Sequence, residues 1–213
     1  MKSKTENILN VLLASLISLI AIGCTDDRDE EAAEETSNSS EFLTGVDGWT
    51  IEGDAEGGTG VIPNFSEING VGNSGYIYAK DDVAGGVWYF VAPSKYHGDK
   101  TIFFDGKVEF YLIQDSSMQD QFFADDLLIE GVAGERIALR FDSYPKENWT
   151  KYQFFLSSKS QWRDESDNIA SNNKIKRVLS SVSKIMIRGE FEDGPDTGGL
   201  DGFQLIEDNS SKY

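Results

Sequence analysis

The body of the chain is a succession of short segments that alternate apolar and polar residues, each closed by glycine, aspartate, asparagine or serine. They are "GYIYAKD" (75–81), "GGVWYFVAP" (85–93), "GKVEFYLIQ" (106–114), "DLLIEG" (126–131), "ERIALRFD" (135–142), "TKYQFFLS" (150–157), "SKIMIRGEF" (183–191) and "GFQLIED" (202–208). A period of two buries one face of a strand, and a turn signal between each pair of segments favours antiparallel neighbours. The pattern predicts an all-β antiparallel sandwich. Pro93 ends its segment, as a residue without an amide hydrogen should. One stretch departs from the pattern. Ile175, Val178, Leu179 and Val182 recur at helical spacing, which predicts one short helix over 173–181 packed on the sandwich.

Alternation also assigns faces. Val108, Phe110 and Leu112 point one way, as do Ile137, Leu139 and Phe141; Tyr152, Phe154 and Leu156; Ile185 and Ile187; and Phe203 and Leu205. These form the expected core. The opposite faces carry Glu109, Tyr111, Arg136, Arg140, Lys151, Gln153, Arg188 and Gln204. A plain solvated sheet face fits this composition, and so does a ligand platform. In the second reading Tyr111, Arg140, Arg188 and Gln153 are the ligand-binding residues, since guanidinium forks and an aromatic edge suit the hydroxyls and carboxylates of glycans. Trp49, Trp88, Trp149 and Trp162 each open or flank a strand and are expected to plug the ends of the sandwich.

The front of the chain has a different logic. Lys2 and Lys4 precede "VLLASLISLIAI" (11–22), an apolar run of the length of a secretory h-region and too short for a bilayer, which takes about 20 residues. Small residues then lead to Cys24, the one cysteine of the chain. This resembles the lipobox of bacterial lipoproteins, with Ala21 where leucine is usual. The resemblance implies a signal peptide over 1–23 and lipidation of Cys24, which would anchor the exported protein to the bacterial outer membrane; an ordinary signal peptide with a stray cysteine is the alternative. "TDDRDEEAAEETSNSSE" (25–41) carries eight acids and one arginine, so with Cys24 the segment 24–41 reads as a disordered acidic tether. An acidic run after a lipidated cysteine also resembles the surface-export signal of Bacteroidetes lipoproteins. Surface exposure is thus the expectation, with a periplasm-facing lipoprotein as the other. The sandwich is expected over 42–208, with a short disordered tail at 209–213.

Four blocks in the body, "DGWTIEGDAEGG" (47–58), "GGVWYFVAPSKYHGDK" (85–100), "ENWTKYQFFLSSKSQW" (147–162) and "IRGEFEDGPDTGGLDGFQL" (187–205), resemble the laminin B domain, also called laminin IV type A. The resemblance implies a jelly-roll β-sandwich, similar to galactose-binding-like and carbohydrate-binding modules. Related jelly rolls often hold a structural Ca²⁺ between the first strand and the last, through oxygen ligands. The candidates here are Asp201 near the end and Asp47, Glu52 and Asp54 near the start. Leu43 stands where an acidic or small polar partner is usual, and the same acids could serve as turn residues.

Lys and Arg number 19 against 37 Asp and Glu, a net charge of −18. That balance argues against nucleic acid as a partner, because phosphates would be repelled and the cations are scattered. A single cysteine excludes an intrachain disulfide framework. There is no Gly-x-Ser-x-Gly elbow and no phosphate loop, and a Ser-His-Asp triad would have to use His97, the one histidine. Abundant acids do not by themselves mark a glycosidase pair. The chain therefore reads as no enzyme but a lipid-anchored cell-surface module binding a polysaccharide or glycan. A structural or adhesion protein that contacts other proteins is the alternative, and a glycan-active enzyme the remaining one.

Overall fold

A computed structural model describes residues 38–81, 83–115 and 122–209. The leader, Cys24 and most of the acidic tether lie outside the described residues, as does nearly all of the tail. Eleven strands and one α-helix, besides four single-turn 3-10 helices, are described: β1 (Ser39–Ser40), β2 (Thr50–Glu52), β3 (Asn64–Ser66), β4 (Tyr76–Asp81), β5 (Tyr89–Val91), β6 (Lys107–Gln114), β7 (Leu127–Gly131), β8 (Arg136–Leu139), β9 (Thr150–Phe155), α1 (Asn172–Leu179), β10 (Val182–Arg188) and β11 (Asp196–Ile206).

The strands form two antiparallel sheets. One is six-stranded, ordered β3-β4-β11-β6-β9, with β1 also paired to β11; the other is five-stranded, ordered β2-β5-β10-β7-β8. Successive strands cross repeatedly from one sheet to the other, as in a jelly roll. The expected all-β fold with one short α-helix is what the described residues form. Two boundaries differ from the reading of the sequence. Ser39 and Ser40 pair with Gln204 and Phe203, so the sandwich begins inside the stretch assigned to the tether. The last strand starts at Asp196, because the glycines of 198–199 continue the ladder between β4 and β6 instead of ending it.

The inward faces are the expected ones. Val108, Phe110, Leu112, Ile137, Leu156, Ile185, Ile187 and Phe203 belong to one continuous core and are almost wholly buried, while Phe154 is only partly so. Trp49, Trp88 and Trp162 are fully buried and close this core, as expected. The helix is capped by the Ser171 hydroxyl, which accepts the Lys174 amide, and it buries Ile175, Val178 and Leu179.

β11 organises the six-stranded sheet. Its first half pairs with β4 and its second half with β1 along the same edge, and β6 runs along the other. A bulge falls between Asp201 and Gln204, where Gly202 takes a φ of +59° that a larger residue would resist.

Candidate functional site

The outer face of the six-stranded sheet carries a row of aromatic rings. Tyr76 and Tyr78 stand on the outward side of β4, opposite the buried Ile77 and Ala79, with ring centroids 5.7 Å apart. Trp149, just before β9, meets the Tyr76 ring edge-on at 5.2 Å, and its indole N–H donates to the carbonyl of Asn69 at 2.8 Å. Between these rings the floor is glycine. Gly199 lies directly between Tyr78 and Ile113 in the ladder. A Cβ there would come within 2.7 Å of the Ile113 side chain and 3.2 Å of the Tyr76 ring, so the missing side chain keeps the groove open. The resulting groove of about 320 Å³ is bounded by Tyr76, Tyr78, Ile113, Gln114, Asp115, Glu147, Thr197 and Gly199. Rings on one side with carboxylates and an amide around them suit a ligand with apolar faces and polar edges.

Tyr111 and Gln153 share this outer face with the groove. They sit in a network centred on Glu109, whose carboxylate accepts from Lys151 at 2.7 Å, Gln153 at 2.8 Å and Gln204 at 3.1 Å. Burial works against the charge on Glu109, but the hydrogen bonds from Lys151, Gln153 and Gln204 outweigh it and hold the carboxyl below its usual range. The Lys151 ammonium lies over the Tyr111 ring at 5.6 Å. Much of the polar capacity here is thus turned inward.

The other two members of the expected platform do not join it. Arg140 follows β8, in the other sheet, where it pairs with Asp125 at 2.9 Å and Asp167 at 2.8 Å and covers the Phe123 ring. It borders a second groove of about 550 Å³ between the β8 and β9 edges, with Lys159 and Arg163. Arg188 is fully buried. Its guanidinium pairs with Asp126 at 3.0 Å, donates to the carbonyls of Glu190 and Phe122, and lies over the Phe122 and Phe191 rings. The alternation of β10 does put Arg188 on the outward side, but the 122–126 segment and Phe191 close over it. Arg188 is a structural residue, with no exposed surface to offer a ligand. Trp149, expected as an end plug, is only half-buried and packs against the Tyr76 ring beside the groove instead.

The four acids proposed for calcium separate. Asp47 pairs with Lys95 and accepts the Ser40 hydroxyl. Glu52 pairs with Lys184 at 2.7 Å. Asp201 accepts the Val71 amide at 2.7 Å and the Ser74 hydroxyl at 3.2 Å, holding the 70–74 loop over the bulge. Asp54 alone meets other acids, Asp81 and Glu190. Asp81, at the end of β4 on the side of Ile77 and Ala79, is 3 % exposed and points between the sheets. The groove tyrosines could have been found from "GYIYAKD", where Tyr76 and Tyr78 alternate with apolar residues. What the sequence lacked was the pairing that sets Gly199 and Trp149 beside them.

Among known proteins, a family model for laminin B (domain IV) matches residues 89–211. No curated protein matches the chain. Among solved structures, the L4b domain of human laminin alpha-2 superposes with a TM-score of 0.51 at 12% identity, over 56% of this chain and 70% of that one. The family 11 carbohydrate-binding module of the cellulosomal cellulase Lic26A-Cel5E of Clostridium thermocellum superposes at 0.48 with 14% identity, over 80% of this chain and 95% of that one. A β-1,2-glucanase from Parabacteroides distasonis gives 0.47 at 11% identity, over 80% of this chain and 24% of that one.

Proposed function

The chain belongs to the laminin B (domain IV) family, and from that premise we propose that it is a non-catalytic binding module that takes a glycan across the outer face of its six-stranded sheet. The observation that carries this reading is the row Tyr78, Tyr76 and Trp149, whose two tyrosines border the groove with Gly199 of β11 as its floor. Sugar rings present flat C–H faces that pack on aromatic rings, while their hydroxyls need carboxylate and amide partners of the kind Asp115, Glu147 and Gln114 provide along the rim. A row of rings beside a groove open to solvent suits a stretch of polysaccharide better than a buried small molecule. The lipobox-like leader and acidic run support export, anchoring through lipidated Cys24 and display at the cell surface, where such a polymer is met.

Retention of the chain on a panel of polysaccharide gels tests this. One glycan class should retard the wild-type protein, and Tyr76→Ala or Trp149→Ala should weaken that retention by about 2 kcal/mol, roughly thirtyfold, as for central aromatic anchors. Replacing Arg140, in the other sheet, should leave retention intact. A folded protein that no polysaccharide retards would shift the reading to adhesion to other proteins. Retention unchanged in both aromatic variants would remove this face from consideration.

A further inference from the structure

Four carboxylates gather at one end of the sandwich. Asp54 follows β2, Asp81 ends β4, Glu190 follows β10 and Asp196 begins β11, so each sheet contributes two. Asp81 and Asp196 face each other as partners in the ladder. One oxygen from each of Asp54, Asp81 and Glu190 lies within 4.8 Å of the other two. Oxygens that bind one Ca²⁺ at about 2.3–2.6 Å can lie no farther apart than about 5 Å, so this spacing is that of ligands sharing an ion. Like charges so close need compensation.

Buried oxygens without hydrogen-bond partners point the same way. Glu190 is 0 % exposed, and neither of its carboxylate oxygens has a hydrogen-bond partner. A buried carboxylate left so costs several kcal/mol unless something answers it. The nearby Arg188 guanidinium does not, for it is turned to Asp126 and to the main-chain carbonyl of Glu190. One oxygen of Asp54 is also buried without a partner. Gly86 presses its backbone on the same carboxylate, and a Cβ at that position would lie 1.7 Å from Asp54 Oδ2.

We propose that Asp54, Asp81 and Glu190 bind a calcium ion that ties the ends of the two sheets together, with Asp196 adding negative charge beside it. The donors are all carboxylate oxygens, with no sulfur or imidazole among them, which suits calcium rather than zinc. The site is separate from the aromatic groove and does not rest on the glycan reading.

The test uses the full chain in detergent, stripped with chelator and then titrated with calcium chloride alone by calorimetry, with melting followed in parallel. One calcium per chain is expected, with a dissociation constant of about 1 mM or tighter, and a raised melting temperature. Glu190→Gln keeps the shape of the neutral carboxyl and should weaken binding about tenfold or more without lowering the melting temperature in chelator. Asp201→Asn should bind calcium as the wild type does. If Glu190→Gln fails to fold, Asp54→Asn at the half-buried side takes its place. A folded wild-type chain that shows neither heat nor a melting shift with calcium would overturn the proposal, leaving the acids to carry protons only. So would wild-type affinity in the Glu190 or Asp54 variant, loss of binding in Asp201→Asn, or tighter binding of magnesium.

Discussion

The guanidinium of Arg188 lies over the rings of Phe122 and Phe191 while it donates to Asp126, whose second oxygen accepts the Phe141 amide at 2.6 Å. Neither charge of this pair reaches solvent. Arg188→Ala should therefore destabilise the protein by about 3–5 kcal/mol, because it leaves Asp126 charged and unpaired in the interior. Arg188→Met should cost less only if Asp126 is replaced with it, and a double-mutant cycle in denaturant reads the difference. This residue also marks how far the sequence can be read. The alternation of "SKIMIRGEF" puts Ile185 and Ile187 in the core and Arg188 opposite them, and that is where they are. Alternation says which way a side chain points and nothing about what covers it. The cover comes from the 122–126 segment, more than 60 residues earlier in the chain, and no local pattern reports such a contact.

At the scale of elements, strand length decides what was legible. The eight segments are legible because several alternations accumulate in each; β5 is itself only three residues long, but the buried Trp88, Phe90 and Ala92 carry its alternation past both ends of the strand. β1, β2 and β3 are two or three residues long, too short for any period to show. Pairing order was not legible at all, which is why Tyr111 and Arg140 were placed on one platform although they belong to different sheets. The helix was legible to within two residues, from its buried stripe. Besides that stripe, Glu165 accepts from the Lys174 ammonium and the Arg136 amide and so links the helix to β8. The Lys174 hydrogen bond holds the Glu165 carboxyl down at about 2. A lowered carboxyl stabilises the fold above its ordinary value of about 4.5, and that contribution fades as pH falls through about 2. Because Glu165 is partly exposed, solvent limits the gain to about 1 kcal/mol or less. Glu165→Gln should melt about 1–3 °C below the wild type at pH 7, and the gap should close as the pH is lowered toward 2.

For the molecule as a whole, the question is where the sandwich begins. The acidic composition of 25–41 gave no reason to place its last residues in a sheet, yet Ser40 is 1 % exposed. Its hydroxyl accepts the Trp49 indole N–H at 3.0 Å, lies 2.8 Å from the Tyr96 hydroxyl and donates to Asp47. Trp49 and Tyr96 in turn pack edge-on against Phe203 of β11. One small residue thus joins the first strand, the last strand and two of the largest buried side chains. Ser40→Ala removes the shared partner of two buried donors, so it should cost about 2 kcal/mol, or about 4–8 °C in melting temperature. Removing residues 1–37 should leave the melting temperature near that of the full chain, whereas removing residues 1–40 should lower it by more than Ser40→Ala does, because the pairing of β1 with β11 is lost as well. If both truncations melt alike, β1 contributes nothing to the sandwich, and the boundary read from the charge pattern, at residue 42, is the right one.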